Sequence, residues 1–234
     1  MKKLKPILNV ILFLIVCLSL NSCLSVDRKI KLNRDGSGEE VLKITFMKEF
    51  YSMMSVMTDF MDSARKQTFL DSLYNDDVFI SKTESKYDSA GVKLIDISSS
   101  TNYDSSKSFI IKYSFDSISK IGSLLENTVD DDADIKAPAI VTLDKVGNEM
   151  VFNYIYEMEE PEELGGGDDD TLAAQMKASI VNMFGSGFLN FEIEFPYEVV
   201  SSNASSANGN TLTWNYPLSE IIMKSEMKLE AVMK

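Results

Sequence analysis

From Val26 to Phe46 the chain alternates apolar and polar side chains with a period of two. This pattern constrains the fold more than any other, because only an extended strand puts every second residue on one face. Val26, Ile30 and Leu32 share one parity, and Asp27, Lys29 and Lys31 the other. After Asn33-Arg34-Asp35-Gly36-Ser37-Gly38, Leu42, Ile44 and Phe46 alternate with Val41, Lys43 and Thr45. Asp-Gly between two alternating runs is a hairpin signal, since both residues tolerate the left-handed turn conformation. The spacing predicts a β-hairpin.

The period changes near Lys48. Phe50, Met53, Met54, Met57, Phe60 and Met61 recur at helical spacing, continued by Phe69, Leu70 and Leu73. Val78 to Thr101 reads as β structure broken at Asp88-Ser89-Ala90-Gly91, with Val92, Leu94 and Asp96 on one face and Lys93, Ile95 and Ile97 on the other. Ser98 to Ser108 reads as a polar loop and Phe109 to Phe115 as a strand. Asp116 is placed to cap a helix carrying Ile118, Ile121, Leu124 and Leu125. Val129 to Pro138 is acidic. Ile140–Leu143 and Met150–Tyr156 suggest a second hairpin around Lys145-Val146-Gly147-Asn148. An acidic, glycine-rich stretch at 157–170 has nothing to bury and is expected to be a flexible loop. A helix is expected from Thr171 to Phe184. Phe191, Ile193 and Phe195 then begin a β-rich tail, with Tyr197–Val200 and Thr211–Trp214 flanking Asn208-Gly209 and a last strand from Met223 to Ala231.

The N-terminus carries an address. Lys2, Lys3 and Lys5 precede 14 largely apolar residues, Ile7 to Leu20. A bilayer-spanning helix needs about 20. A basic head, a short apolar run and a small residue before a cut describe a secretory signal. Leu20-Asn21-Ser22-Cys23 resembles the bacterial lipoprotein box, which implies cleavage after residue 22, a diacylglycerol thioether on Cys23 and an N-acyl chain on the new terminus. The implied division is a signal at 1–22 and a single domain at 23–234. Leu24 does not resemble the aspartate retention signal of enterobacteria, so the outer membrane is favoured over the inner.

A second resemblance rests on the ends of that domain. Ile30-Lys31-Leu32-Asn33-Arg34-Asp35-Gly36-Ser37-Gly38 and Gly209-Asn210-Thr211-Leu212-Thr213-Trp214 are similar to LppM-type lipoproteins of mycobacteria. That resemblance implies an exported α+β domain, lipid or glycolipid binding, and no catalytic motif.

Composition removes several kinds of chemistry. The chain has no histidine, which excludes histidine-based nucleophile activation and histidine metal sites. Cys17 and Cys23 are its two cysteines; Cys17 falls within the signal and lipidation would consume Cys23, so no disulfide is expected. Loss of the three lysines with the signal takes the net charge from −13 to −16, which repels phosphate backbones and anionic headgroups alike. Nucleic acid is not an expected partner.

The remaining candidates are weaker. Asp130-Asp131-Asp132-Ala133-Asp134 and Asp168-Asp169-Asp170 lack the glycine and distal glutamate of a calcium loop and read as solvated acids. Asp-Ser/Thr followed by an apolar residue, as at Asp88-Ser89-Ala90, resembles the O-glycosylation acceptor of Bacteroidetes, although capping and turn chemistry favour the same residues. The fold class expected is α+β, mostly antiparallel β-sheet with helices packed on one face. The leading function is a non-enzymatic binding module for a lipid, glycolipid or other apolar ligand, held by Phe50, Met53, Met54, Met57, Phe60 and Met61, with no metal and no cofactor. The alternatives are a structural subunit docking an unidentified protein partner through the same surface, and a hydrolase using two carboxylates.

Overall fold

The computed structural model describes residues 24–51, 66–67, 70–71, 74–126, 139–157, 187–224 and 226–234. The signal segment, Cys23, Met53, Met54, Met57, Phe60, Met61, the acids of 158–170 and the helix expected at 171–184 lie outside them.

The expected first hairpin is present: β1 (Leu24–Leu32) pairs antiparallel with β2 (Gly38–Phe46), from Leu24 opposite Phe46 to Leu32 opposite Gly38. The next described element is helix α1 (Asp76–Ser89), which corrects the β reading of Val78 to Ser89. Asn75 caps it by accepting from the Asp77 amide at 3.0 Å, and Asp76 and Asp77 suit the positive end of the helix dipole. Phe79, Thr83 and Tyr87, four residues apart, form its inward face. The Val78-Phe79-Ile80 run is too short to outweigh those signals. Ser89 closes the helix with its hydroxyl donating to the Lys86 carbonyl at 2.8 Å, so it is a helix-end residue rather than part of a free turn.

β3 (Lys93–Thr101) and β4 (Lys107–Phe115) pair antiparallel. Their register shifts between Leu94 and Asp96, a bulge that leaves Ile95 exposed and turns Ile97 inward, so alternation alone misassigned these two. The loop expected at 98–108 shrinks to 102–106. Helix α2 (Ser119–Glu126) then packs on β5 (Ala139–Val146), which forms the second expected hairpin with β6 (Glu149–Glu157). A Cβ on Gly122 of α2 would lie 2.3 Å from the Ala139 carbonyl oxygen. Gly122→Ala is therefore expected to destabilise the domain by about 1–3 kcal/mol, despite the roughly 1 kcal/mol that alanine gains in helix propensity. A urea midpoint at or above that of the parent would show that the helix shifts freely.

The C-terminal region supplies β7 (Phe188–Glu194), β8 (Val199–Ser202), β9 (Ser206–Asn208), β10 (Thr211–Pro217), helix α3 (Leu218–Lys224) and β11 (Glu226–Met233). Met223 lies in α3 rather than in the last strand. In β11, Met227, Leu229, Ala231 and Met233 face inward.

Two mostly antiparallel sheets result, where a single sheet was expected. The larger runs β3-β4-β2-β1-β7-β10-β9 and the smaller β5-β6-β11-β8. The β1–β7 pair is parallel, because the chain returns to β1 by a long crossover and not by a turn. The inner faces meet through Phe152 on Phe195 and Tyr154 on Phe191, with ring centroids 5.2 and 5.1 Å apart. Beyond the smaller sheet, α1 covers β4, placing Phe79 on Phe109 and Tyr87 on Tyr113. The outer face of the larger sheet is charged, with Lys29–Glu192 and Lys31–Glu194 across neighbouring strands. Such exposed pairs contribute little stability.

Candidate functional site

Strand register decides which residues share the end of the molecule next to Cys23. Leu24, directly after that cysteine, opposes Phe46 of β2, and Phe46 opposes Lys107 of β4. On the other side of β1, Ser25 opposes Phe188, which opposes Pro217. Lys107 also opposes Thr101, so the 102–106 turn belongs to this end. The Leu24 end of the larger sheet is thus defined by residues far apart in sequence.

That end is aromatic. Phe46 lies 4.7 Å from Phe50, 6.3 Å from Tyr51 and 6.1 Å from Phe109, centroid to centroid. Phe109 continues to Phe79 at 4.0 Å, and Tyr51 stacks on Tyr74 at 5.6 Å. Phe50 is buried in this cluster; it is the one predicted ligand-binding residue within the described segments. Phe46, Tyr51, Tyr74 and Phe109 join it here although sequence spacing did not connect them. Burial, with Asp76 and Tyr74 nearby, pushes the Tyr51 phenol up to about 12, so it is an uncharged hydroxyl at neutral pH. Lys107 lies over the Phe109 ring, 5.5 Å from its centroid, and pairs with Asp76, which also accepts from Ser99 Oγ at 2.6 Å. Burial acts to raise the Asp76 carboxyl, but the hydrogen bonds from Lys107 and Ser99 outweigh it and the pKa falls below the ordinary value. A paired Lys107–Asp76 couple therefore lies beside the aromatic cluster.

No family model and no curated protein matches the chain. Among solved structures it is similar to LppM. The match is to the NMR structure of the folded domain of that Mycobacterium tuberculosis protein, at 10% identity and a TM-score of 0.44, over 91% of this chain and 90% of that one. A likeness so distant assigns neither a family nor a ligand.

A second polar constellation lies in the core. Arg28 Nε and Nη2 donate to Glu40 Oε1 and Oε2 at 2.6 and 2.9 Å, and Arg28 Nη1 donates to the Tyr154 hydroxyl at 2.8 Å. The Tyr113 hydroxyl donates to Glu40 Oε2. Glu40 is fully buried, and the Arg28 guanidinium lies 5.3 Å from the centroid of the Phe191 ring. Burial works against the charge of Arg28, but the adjacent carboxylate outweighs it and holds the pKa well above its usual value. Burial, with Glu40 next, likewise drives the Tyr113 phenol far up. Each carboxylate oxygen already accepts from this network, and solvent does not reach it. The network joins β1 and β2 to β6; it is not arranged to act on a substrate.

Among the described residues, no group of three or more His, Cys, Asp or Glu side chains is placed to hold a metal ion. No helix among them is long and apolar enough to cross a membrane.

The 102–106 turn repeats the 33–37 turn atom for atom. In the first, Asp35 Oδ1 accepts from Ser37 N and Oγ at 3.1 and 2.6 Å, and Asn33 Nδ2 donates to Ser37 Oγ at 3.0 Å. In the second, Asp104 Oδ1 accepts from Ser106 N and Oγ at 3.0 and 2.6 Å, and Asn102 Nδ2 donates to Ser106 Oγ at 2.8 Å. Asn-x-Asp-(Gly/Ser)-Ser was legible as a repeated pattern in the sequence. Ser105 holds φ 66° where the first turn has Gly36 at 82°. Ser105→Gly is expected to stabilise the domain by up to about 1 kcal/mol by relieving the left-handed strain on a residue with a Cβ. A lower melting temperature for the variant would contradict this.

Proposed function

We propose that the chain is a lipid-anchored envelope lipoprotein whose domain binds a lipid, glycolipid or other apolar ligand beside its anchor, without catalysis of its own. The observation that carries this reading is the aromatic cluster at the Cys23 end of the sheet. From Phe46, Phe50 and Tyr51 the chain passes directly into the Met- and Phe-rich stretch that ends at Met61. Thioether side chains adapt to varied apolar shapes, and rigid rings give them a floor. An apolar ligand held there would be close to the membrane that supplies it. Leu24 after the cysteine favours the outer membrane.

The test is native mass spectrometry of the lipoprotein extracted from its own envelope in mild detergent. A non-protein adduct beyond the chains on Cys23 is expected, and Phe46→Ala is expected to strip most of it. A stoichiometric protein in place of the adduct would favour the docking-subunit alternative. A bare mass, or an adduct indifferent to Phe46→Ala, would remove the ligand-binding reading.

A further inference from the structure

A thioether on Cys23 leaves no spacer before the fold, because β1 starts at the next residue. One extended residue spans about 3.3 Å, so the anchored end of the larger sheet is held at the lipid–water boundary. This rests on the lipid-anchor reading above.

The exposed rings gather at that end. Tyr74 is 52% exposed, Phe188 41%, and Tyr103 is fully exposed on the 102–106 turn. Towards the opposite end, marked by the 33–37, 147–148 and 209–210 turns, the exposed large apolar side chains among the described residues are aliphatic: Ile95 near the start of β3, Val146 and Val200. The twin turns sharpen the contrast. At the far end Arg34 lies 5.7 Å from the centroid of the Tyr197 ring, and its carbonyl accepts from the Tyr197 hydroxyl at 3.1 Å. At the anchor end the same turn position holds Tyr103, presented to solvent by a fully hydrogen-bonded loop. Tyrosine, with its apolar ring and polar tip, suits the headgroup level of a bilayer. With the three signal lysines removed, the net charge of −16 gives no general electrostatic attraction to anionic lipid, which leaves apolar and aromatic contact to orient the domain.

The geometry points to the Cys23 end of the molecule as a membrane-contacting face, with Tyr74, Tyr103 and Phe188 seated among the headgroups of the bilayer that holds the anchor. The domain then stands end-on, with its strands directed away from the surface.

Full lipidated protein in vesicles of phosphatidylethanolamine and phosphatidylglycerol tests this, with phospholipids brominated near the head of the acyl chain as quenchers. Trp214 is buried in the core and gives a constant background. Tyr103→Trp and Phe188→Trp are each expected to lose about half of the added fluorescence, while Val200→Trp at the far end loses almost none. Equal quenching at all three positions, or none while the protein still floats with the vesicles, would overturn the end-on seat and leave the anchor intact. Failure to float would remove the anchor reading, and the seat with it. Protection of both anchor-end tryptophans in native envelopes but not in protein-free vesicles would assign the face to a protein partner.

Discussion

Arg28→Met is expected to cost about 3–5 kcal/mol of stability, because it leaves the Glu40 carboxylate buried without its counter-charge. That is a large fraction of the roughly 5–15 kcal/mol by which a domain is usually stable. Glu40→Leu is expected to cost a similar amount for the converse reason, since Arg28 is then the unpaired charge. The double replacement behaves differently. It removes both charges, and its cost falls well below the sum of the two single variants. Two buried hydroxyls then lose partners, Tyr113 its acceptor and Tyr154 its donor. Each unsatisfied group costs about 1–3 kcal/mol, so adding Tyr113→Phe and Tyr154→Phe is expected to recover stability further. Urea denaturation of the four variants measures this directly. Single variants that each lose less than about 1 kcal/mol would show the pair to be hydrated rather than buried.

Those same two residues show what the sequence made legible. The hairpin containing them follows from alternation and an Asp-Gly turn, and the structure has it, with Leu24 opposite Phe46 and Leu32 opposite Gly38. Arg28 and Glu40 both fall on the apolar parity of their strands, beside Ile30 and Leu42. Opposite charges at two inward positions of one hairpin were a readable sign of a buried ion pair. Their partners were not readable: Tyr113 and Tyr154 come from strands whose pairing and layer are set by long-range packing. The same limit explains the second sheet and the parallel β1–β7 contact, since periodicity reports which face is buried and not what covers it. Helix α1 was missed for a local reason. Val78-Phe79-Ile80 has strand composition, but Asn75, Asp76 and Asp77 start a helix and the Phe79–Thr83–Tyr87 spacing gives it a face to bury. Phe50 was legible as part of a helical apolar stripe. Its neighbours Phe46 and Phe109 were not, because only register brings them to one end of the sheet, and Tyr74 joins through its stacking on Tyr51.

Loss of the thiol is expected to produce the largest effect of all, on location instead of stability. Each acyl methylene buried in a bilayer contributes about 0.8 kcal/mol, and a single chain gives only marginal, reversible binding, whereas three chains hold almost irreversibly. Cys23→Ser has to be exported behind a signal with an ordinary cleavage site; otherwise the apolar run from Ile7 to Leu20 can stay on as a substitute anchor. Released in this way, the variant is expected to move from washed membranes to the soluble fraction, by at least about tenfold, with the bare mass of its polypeptide. The parent should carry the added mass of a diacylglycerol and an acyl chain. The aromatic end alone cannot replace three acyl chains, because a few interfacial tyrosines in an acidic protein give weak contact. Weak residual binding that falls further with Tyr103→Ser would separate the two contributions. A variant that stays on washed membranes at its polypeptide mass, with no such dependence, would mean that the attachment lies elsewhere in the molecule.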